Sequence, residues 1–173
     1  LGVYEAYAST DLMGYATVTM GRQALNYGSG MLIGSNEWGK DRNTRDAFTF
    51  ALGLDMADVT VGYASRMDDA ELTDGGTSYW VNASKSDGDW TANLLYGSSA
   101  KTELDEKQDA LTFMGVDLSY AMMGGALNLD ATYNTLSHST FDMDMNSIGA
   151  TYNVNDDMSI TGTMTTYGEG GFA

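Results

Sequence analysis

The sequence predicts an all-β fold: a transmembrane, antiparallel, up-and-down β-barrel, with about ten strands in this chain. Three observations carry that expectation. Large apolar residues alternate with small polar ones over most of the 173 residues. Short and long connections alternate along the chain. Aromatic residues sit at the two ends of one strand face, as two membrane-interface girdles require.

The clearest unit runs from Ala47 to Ser65. Phe48, Phe50, Leu52 and Leu54 alternate with Ala47, Thr49, Ala51, Gly53 and Asp55. After a turn at Met56-Ala57, Val59, Val61 and Tyr63 alternate with Asp58, Thr60, Gly62 and Ala64. Successive strand side chains point to opposite faces, so this is a hairpin with one oily and one small polar side. Further strands are expected near 2–9, 14–25, 46–55, 58–66, 78–86, 89–99, 110–122, 125–136, 145–154 and 157–167. Tight turns are expected at Asp11-Leu12-Met13, Met56-Ala57, Asp87-Gly88, Met123-Gly124 and Asn155-Asp156, with longer polar connections at 26–45, 67–77, 100–109 and 137–144.

Composition fits one β domain spanning 1–173. There are no Cys, which excludes disulfides and thiolate metal sites, and no Pro, which suits paired strands. The formal net charge of −16 argues against nucleic acid as a partner. No apolar run is long enough for a transmembrane helix. The mean hydropathy of −0.25 does not bear on a barrel, because half of each strand is polar.

The aromatics set the two levels. Tyr63, Tyr96 and Tyr133 close the apolar faces of outgoing strands at the long-loop end. Tyr120 and Tyr152 close those of returning strands at the short-turn end, where Trp90 opens a strand. The alternation of connections puts both termini on the long-loop side, and the expectation is therefore an interior piece of a larger barrel of about 16 to 18 strands.

The run Gly21-Arg22-Gln23-Ala24-Leu25-Asn26-Tyr27-Gly28, continuing through Ile33-Gly34 to Trp38-Gly39 and followed by Arg42, Arg45 and Asp46, resembles the alginate-export family of Gram-negative outer-membrane porins. Glu5-Ala6-Tyr7 is similar to a strand of that family. The resemblance covers roughly residues 5 to 50 and implies a monomeric barrel of about 18 strands that passes a solute, such as an anionic polysaccharide. The acid-rich composition departs from the basic lumen that such a polymer calls for.

Lys40, Arg42 and Arg45 cluster in the 26–45 loop, and Arg22 ends the strand before it, among only eight Lys and Arg in all. Folded into a pore, they would favour anions; as a solvated loop, they would pair with Asp41 and Asp46. Glu5, Asp55, Asp58, Lys85, Asp117 and Asp130 are expected to line a wet lumen. Acidic runs at Asp68, Asp69, Glu71 and Asp74, and at Glu103, Asp105, Glu106 and Asp109, offer oxygen ligands to divalent cations that bridge lipopolysaccharide. Their spacing matches no known calcium loop, and a solvated acidic surface is the simpler reading.

The expected function is passive diffusion or export of hydrophilic solutes across the Gram-negative outer membrane. Membrane lipid and lipopolysaccharide are the expected partners, and there is no cofactor, metal or catalytic residue. Two alternatives follow from other features. His138, the single histidine, with Asp142 and Asp144 close behind, could activate water at a barrel rim, as in omptin-like outer-membrane proteases. An acidic all-β surface or adhesin domain would instead pack Phe48, Phe50, Leu52 and Leu54 against a second sheet.

Overall fold

The computed structural model describes residues 3–36, 39, 42–66, 74–103, 106–107 and 109–168. Its strands are β1 (Ala6–Leu12), β2 (Ala16–Gln23), β3 (Arg45–Gly53), β4 (Asp58–Arg66), β5 (Asp74–Asp87), β6 (Trp90–Glu103), β7 (Glu106–Lys107), β8 (Leu111–Met122), β9 (Leu127–His138), β10 (Phe141–Asn155) and β11 (Met158–Tyr167). All join one antiparallel sheet in chain order, with the two-residue β7 hanging from β6. The sheet is open: β1 and β11 are its edges. No described helix is long and apolar enough to cross a membrane. The up-and-down, all-β order therefore stands as the sequence predicts.

Local chemistry explains the turns. Met13-Gly14-Tyr15, not Asp11-Leu12-Met13, makes the first one. Gly14 takes a φ of +76°, and its N–H donates to Asp11 Oδ1 at 2.7 Å. At Leu54–Ala57 the two outer residues exchange backbone hydrogen bonds of 3.0 and 3.2 Å. The expected long connection at 137–144 is instead a tight turn at Ser139-Thr140, with His138 paired to Phe141. Its polar residues continue the strands, because polarity at a strand end does not break a hydrogen-bonded ladder. Strict alternation of short and long connections fails at this point.

Residues directly opposite in a ladder share a face, so the registers sort every strand side chain. One face carries Phe48, Val61, Tyr63, Val81, Leu94, Tyr96, Leu118, Tyr120, Tyr133, Ile148, Tyr152 and Ile160. We call it the tyrosine face. No described residue packs on it, and these apolar side chains are exposed, from 39% at Tyr133 to 64% at Ile160. The opposite face carries Thr49, Gly62, Trp80, Asn82, Asn93, Leu95, Asn134 and Met145. All of these are buried, and residues 24–36 fold across this face; we call it the loop face. The burial is thus inverted relative to a water-soluble sheet: the oily side is bare and the small, polar side is covered.

The apolar band on the tyrosine face is slanted. Its uppermost members on β4 and β5, Tyr63 and Tyr79, face each other. Tyr79 then faces Ser98, and the top on β6 is Tyr96, two residues lower. Tyr96 faces Met114, the top on β8. Met114 faces Thr135, and the top on β9 drops to Tyr133. Tyr133 faces Asn146, and the top on β10 drops to Ile148, which faces Met164 on β11. Three two-residue steps across six strand junctions make about one residue per strand. At ~3.3 Å per residue and ~4.8 Å between strands, the band crosses the strands at about 35° from their perpendicular.

Candidate functional site: the loop seated on the sheet

The loop after β2 is held by its own backbone and by the sheet. Tyr27 N–H donates to the Ile33 carbonyl at 3.0 Å, and Gly30 N–H to the Tyr27 carbonyl at 3.0 Å. Gly28 and Gly30 supply the positive φ values of 55° and 75° that this tight course needs. The strand before the loop is clamped where it leaves the sheet. Gln23 Nε2 donates to the Ala47 carbonyl, Thr49 Oγ1 donates to Gln23 Oε1, and Ala24 N–H donates to Glu5 Oε1 at 3.1 Å.

Leu25, Tyr27, Leu32 and Ile33 then pack on Ala47, Ala64, Trp80, Leu95 and Phe113. Glycines make the seat. Trp80 lies over Gly62 across the β4–β5 ladder, and Phe113 lies over Gly97 across the β6–β8 ladder; a Cβ at either glycine would collide with the ring. Both pairs fall in one row of the loop face, which reads Gly62, Trp80, Gly97, Phe113 on successive strands. Large rings covering cross-strand glycines leave a surface low enough for the loop to reach. Gly115 repeats the device, opening room for Leu32 and Asn134.

The polar part of the seat is also closely fitted. Asn82 Nδ2 donates to Asn93 Oδ1 at 3.1 Å and to the Leu94 carbonyl at 3.2 Å. Thr132 Oγ1 donates to Asp117 Oδ1 at 2.8 Å. Gly28 sits against Asp117 Oδ2 and Asn93 Oδ1 so closely that no Cβ fits there. Asn134, 1% exposed, donates to Met31 Sδ at 3.6 Å. Trp80 Nε1 is buried and closes no hydrogen bond within the described structure. Burial raises the Tyr27 phenol above its ordinary pKa of 10.0, and the neighbouring Trp80 N–H works against that rise.

The sequence-derived candidates separate. Asp58, Asp117 and Asp130 lie on the loop face. Asp55 sits in the β3–β4 turn. Two candidates fall on the other side. Lys85 faces Ala92 in a tyrosine-face row, and its Nζ donates to the Asp55 carbonyl at 2.9 Å. Arg22 faces Asp46, also in a tyrosine-face row, and binds that carboxylate through Nε at 2.9 Å and through its second nitrogen at 2.8 Å. The reason is parity: a one-residue difference along a strand reverses the face.

The basic cluster is correspondingly dispersed. Arg45 faces Gln23 at the loop end of the loop face, and Arg42 stacks its guanidinium over the Tyr4 ring at 5.1 Å. Lys40 and Trp38 lie outside the described residues, as do Asp68, Asp69, Glu71 and Asp105. Among the described residues no group of His, Cys, Asp and Glu is placed to hold a metal. His138 Nδ1 meets Thr140 Oγ1 at 2.9 Å, and its ring stacks on Phe141. Asp142 instead accepts from the Ser137 hydroxyl, away from the His–Asp pairing that the alternative, protease-like reading calls for.

All six expected girdle aromatics, Tyr63, Trp90, Tyr96, Tyr120, Tyr133 and Tyr152, share the tyrosine face, and Trp90 directly faces Tyr120. Sequence reasoning missed Trp80, Asn82, Asn93, Asn134 and the three seat glycines. The available signal was an aromatic on the small, polar parity of its strand. No protein family, curated protein or solved structure matches the chain.

Proposed function

We propose that this sheet is part of the wall of an outer-membrane channel for hydrophilic solutes, with the 24–36 segment as a loop that narrows the passage. The slanted apolar band carries the reading. A flat lipid layer meets tilted strands at successively shifted heights, so the oily residues must step from strand to strand. The observed slope of about 35° falls at the tilt of about 35–45° that transmembrane barrels adopt. On β8 the band runs from Met114 to Met122, which at that tilt spans ~22 Å, near the ~25 Å apolar height of such barrels. Backbone groups in lipid need a closed ladder, so in a membrane the open edges of β1 and β11 would have to be paired.

The loop face suits the water side. Its Ser, Thr, Asn and Asp side chains find water in a channel, and its apolar patch is used to anchor the loop. The soluble-domain reading requires a second sheet over Phe48, Phe50, Leu52 and Leu54; the described strands form one sheet, and none of them lies on that face.

The test is planar-bilayer recording with the full-length protein. Stable ohmic steps are the expected result. A protein that inserts, as judged by detergent-dependent extraction from vesicles, but never conducts overturns the channel. A protein that stays in buffer overturns the membrane wall itself.

A further inference from the structure

We infer that the passage selects for cations and neutral solutes and rejects anionic saccharides. The inference rests on the channel reading above and concerns what that channel admits. The registers define two consecutive loop-face rows at the level of, and next beyond, the seated Gly28. The first reads Asp58, Ser84, Asn93, Asp117, Thr132, Ser147 and Thr165 across seven strands. The second reads Ser86, Thr91, Ser119, Asp130, Gly149 and Thr163. Neither row holds an apolar side chain. Together they hold three carboxylates and no Lys or Arg.

Sequence alone leaves the sign of the field open, because Lys85 falls in the same stretch as these residues and Arg22, Lys40, Arg42 and Arg45 lie in or beside the loop. The structure takes Lys85 and Arg22 off this face and leaves Arg45 opposite Gln23 at its loop end, outside the two rows. Lys85 is turned to the tyrosine face and tied to the Asp55 carbonyl, and Arg22 is on that face and neutralised by Asp46. Asp117 is the carboxylate nearest the loop: Gly28 sits against its Oδ2, while Thr132 Oγ1 donates to its Oδ1. A negative group fixed beside the narrowing element, with two polar rows continuing past it, raises local cation concentration and repels anions.

The experiment is the reversal potential of the full-length protein in a planar bilayer under a KCl gradient. The expected K⁺ to Cl⁻ permeability ratio is on the order of 10. Asp117→Asn alone lowers it, and Asp58→Asn, Asp117→Asn and Asp130→Asn together bring it near unity while conductance steps persist. Arg22→Gln and Lys85→Gln leave it unchanged. A chloride preference, or a ratio indifferent to the three asparagines, overturns the selectivity and leaves the channel standing. Absence of any step overturns the channel and the selectivity with it.

Discussion

The indole of Trp80 covers Gly62, its partner across the β4–β5 ladder, and the ring is 1% exposed. This contact levels the floor on which Tyr27 and Ile33 rest. Gly62→Ala places a methyl group inside the ring and should cost about 1–3 kcal/mol by overpacking. Trp80→Ala should cost about 3–5 kcal/mol. Urea midpoints in lipid vesicles measure both. Gly53→Ala is the control: a Cβ there meets Asp58 Oδ1 at an ordinary 3.7 Å, and the midpoint should hold or rise.

Leu94 sits within the apolar band, facing Ala83 and Val116. Leu94→Lys should destabilise the vesicle-inserted protein by about 2–4 kcal/mol, the cost of a cation near the bilayer midplane. Ser119→Lys, on the opposite face and facing Thr91, should cost well under half of that. Equal effects at the two positions would argue against lipid on the tyrosine face.

Gly28 has a φ of 55° and no room for a Cβ against Asp117 and Asn93. Gly28→Ala should lift the loop while leaving the ladders intact. Hydrogen exchange should quicken by 10-fold or more (~1.4 kcal/mol or above) at the Tyr27 and Gly30 amides and stay unchanged in β8 and β9. If the loop narrows the passage, unit conductance rises in the same variant.

The Tyr27 phenol has its pKa raised chiefly by burial, so its neutral form is the one the seat accepts. Its contribution to loop docking is full below the ordinary value of about 10 and is lost as pH rises through the higher folded value. Loop-amide protection should therefore fall steeply in that alkaline range. Tyr27→Phe should abolish that component of the pH dependence and keep the packing.

Strand order and the two faces were legible because period-2 alternation is a local property of each strand. At β3 and β4 the alternating residues from Ala47 to Ser65 predict that Phe48 and Tyr63 share the oily face, where the ladder pairs them. The loop seat was not legible, since it depends on which residues stand opposite one another on different strands. Gly62, Gly97 and Gly115 look like interchangeable small residues until the register puts Trp80, Phe113 and Leu32 over them. Lys85 was misplaced for a related reason: Trp80, a large ring on the small-residue parity, blurs the alternation of β5. Arg22 gave no hint of its face without its partner Asp46 on the next strand.

Met31 and Asn134 touch although 103 residues separate them. The rest of the seat comes from β3 through β8. The Met31–Asn134 contact therefore waits for β9, whereas the apolar seat needs only β3 through β8. The loop is thus held at two levels, by an apolar seat on β3 to β8 and by one further contact to β9. A sheet lacking β9 would hold the loop by its apolar seat alone, without the Met31–Asn134 contact.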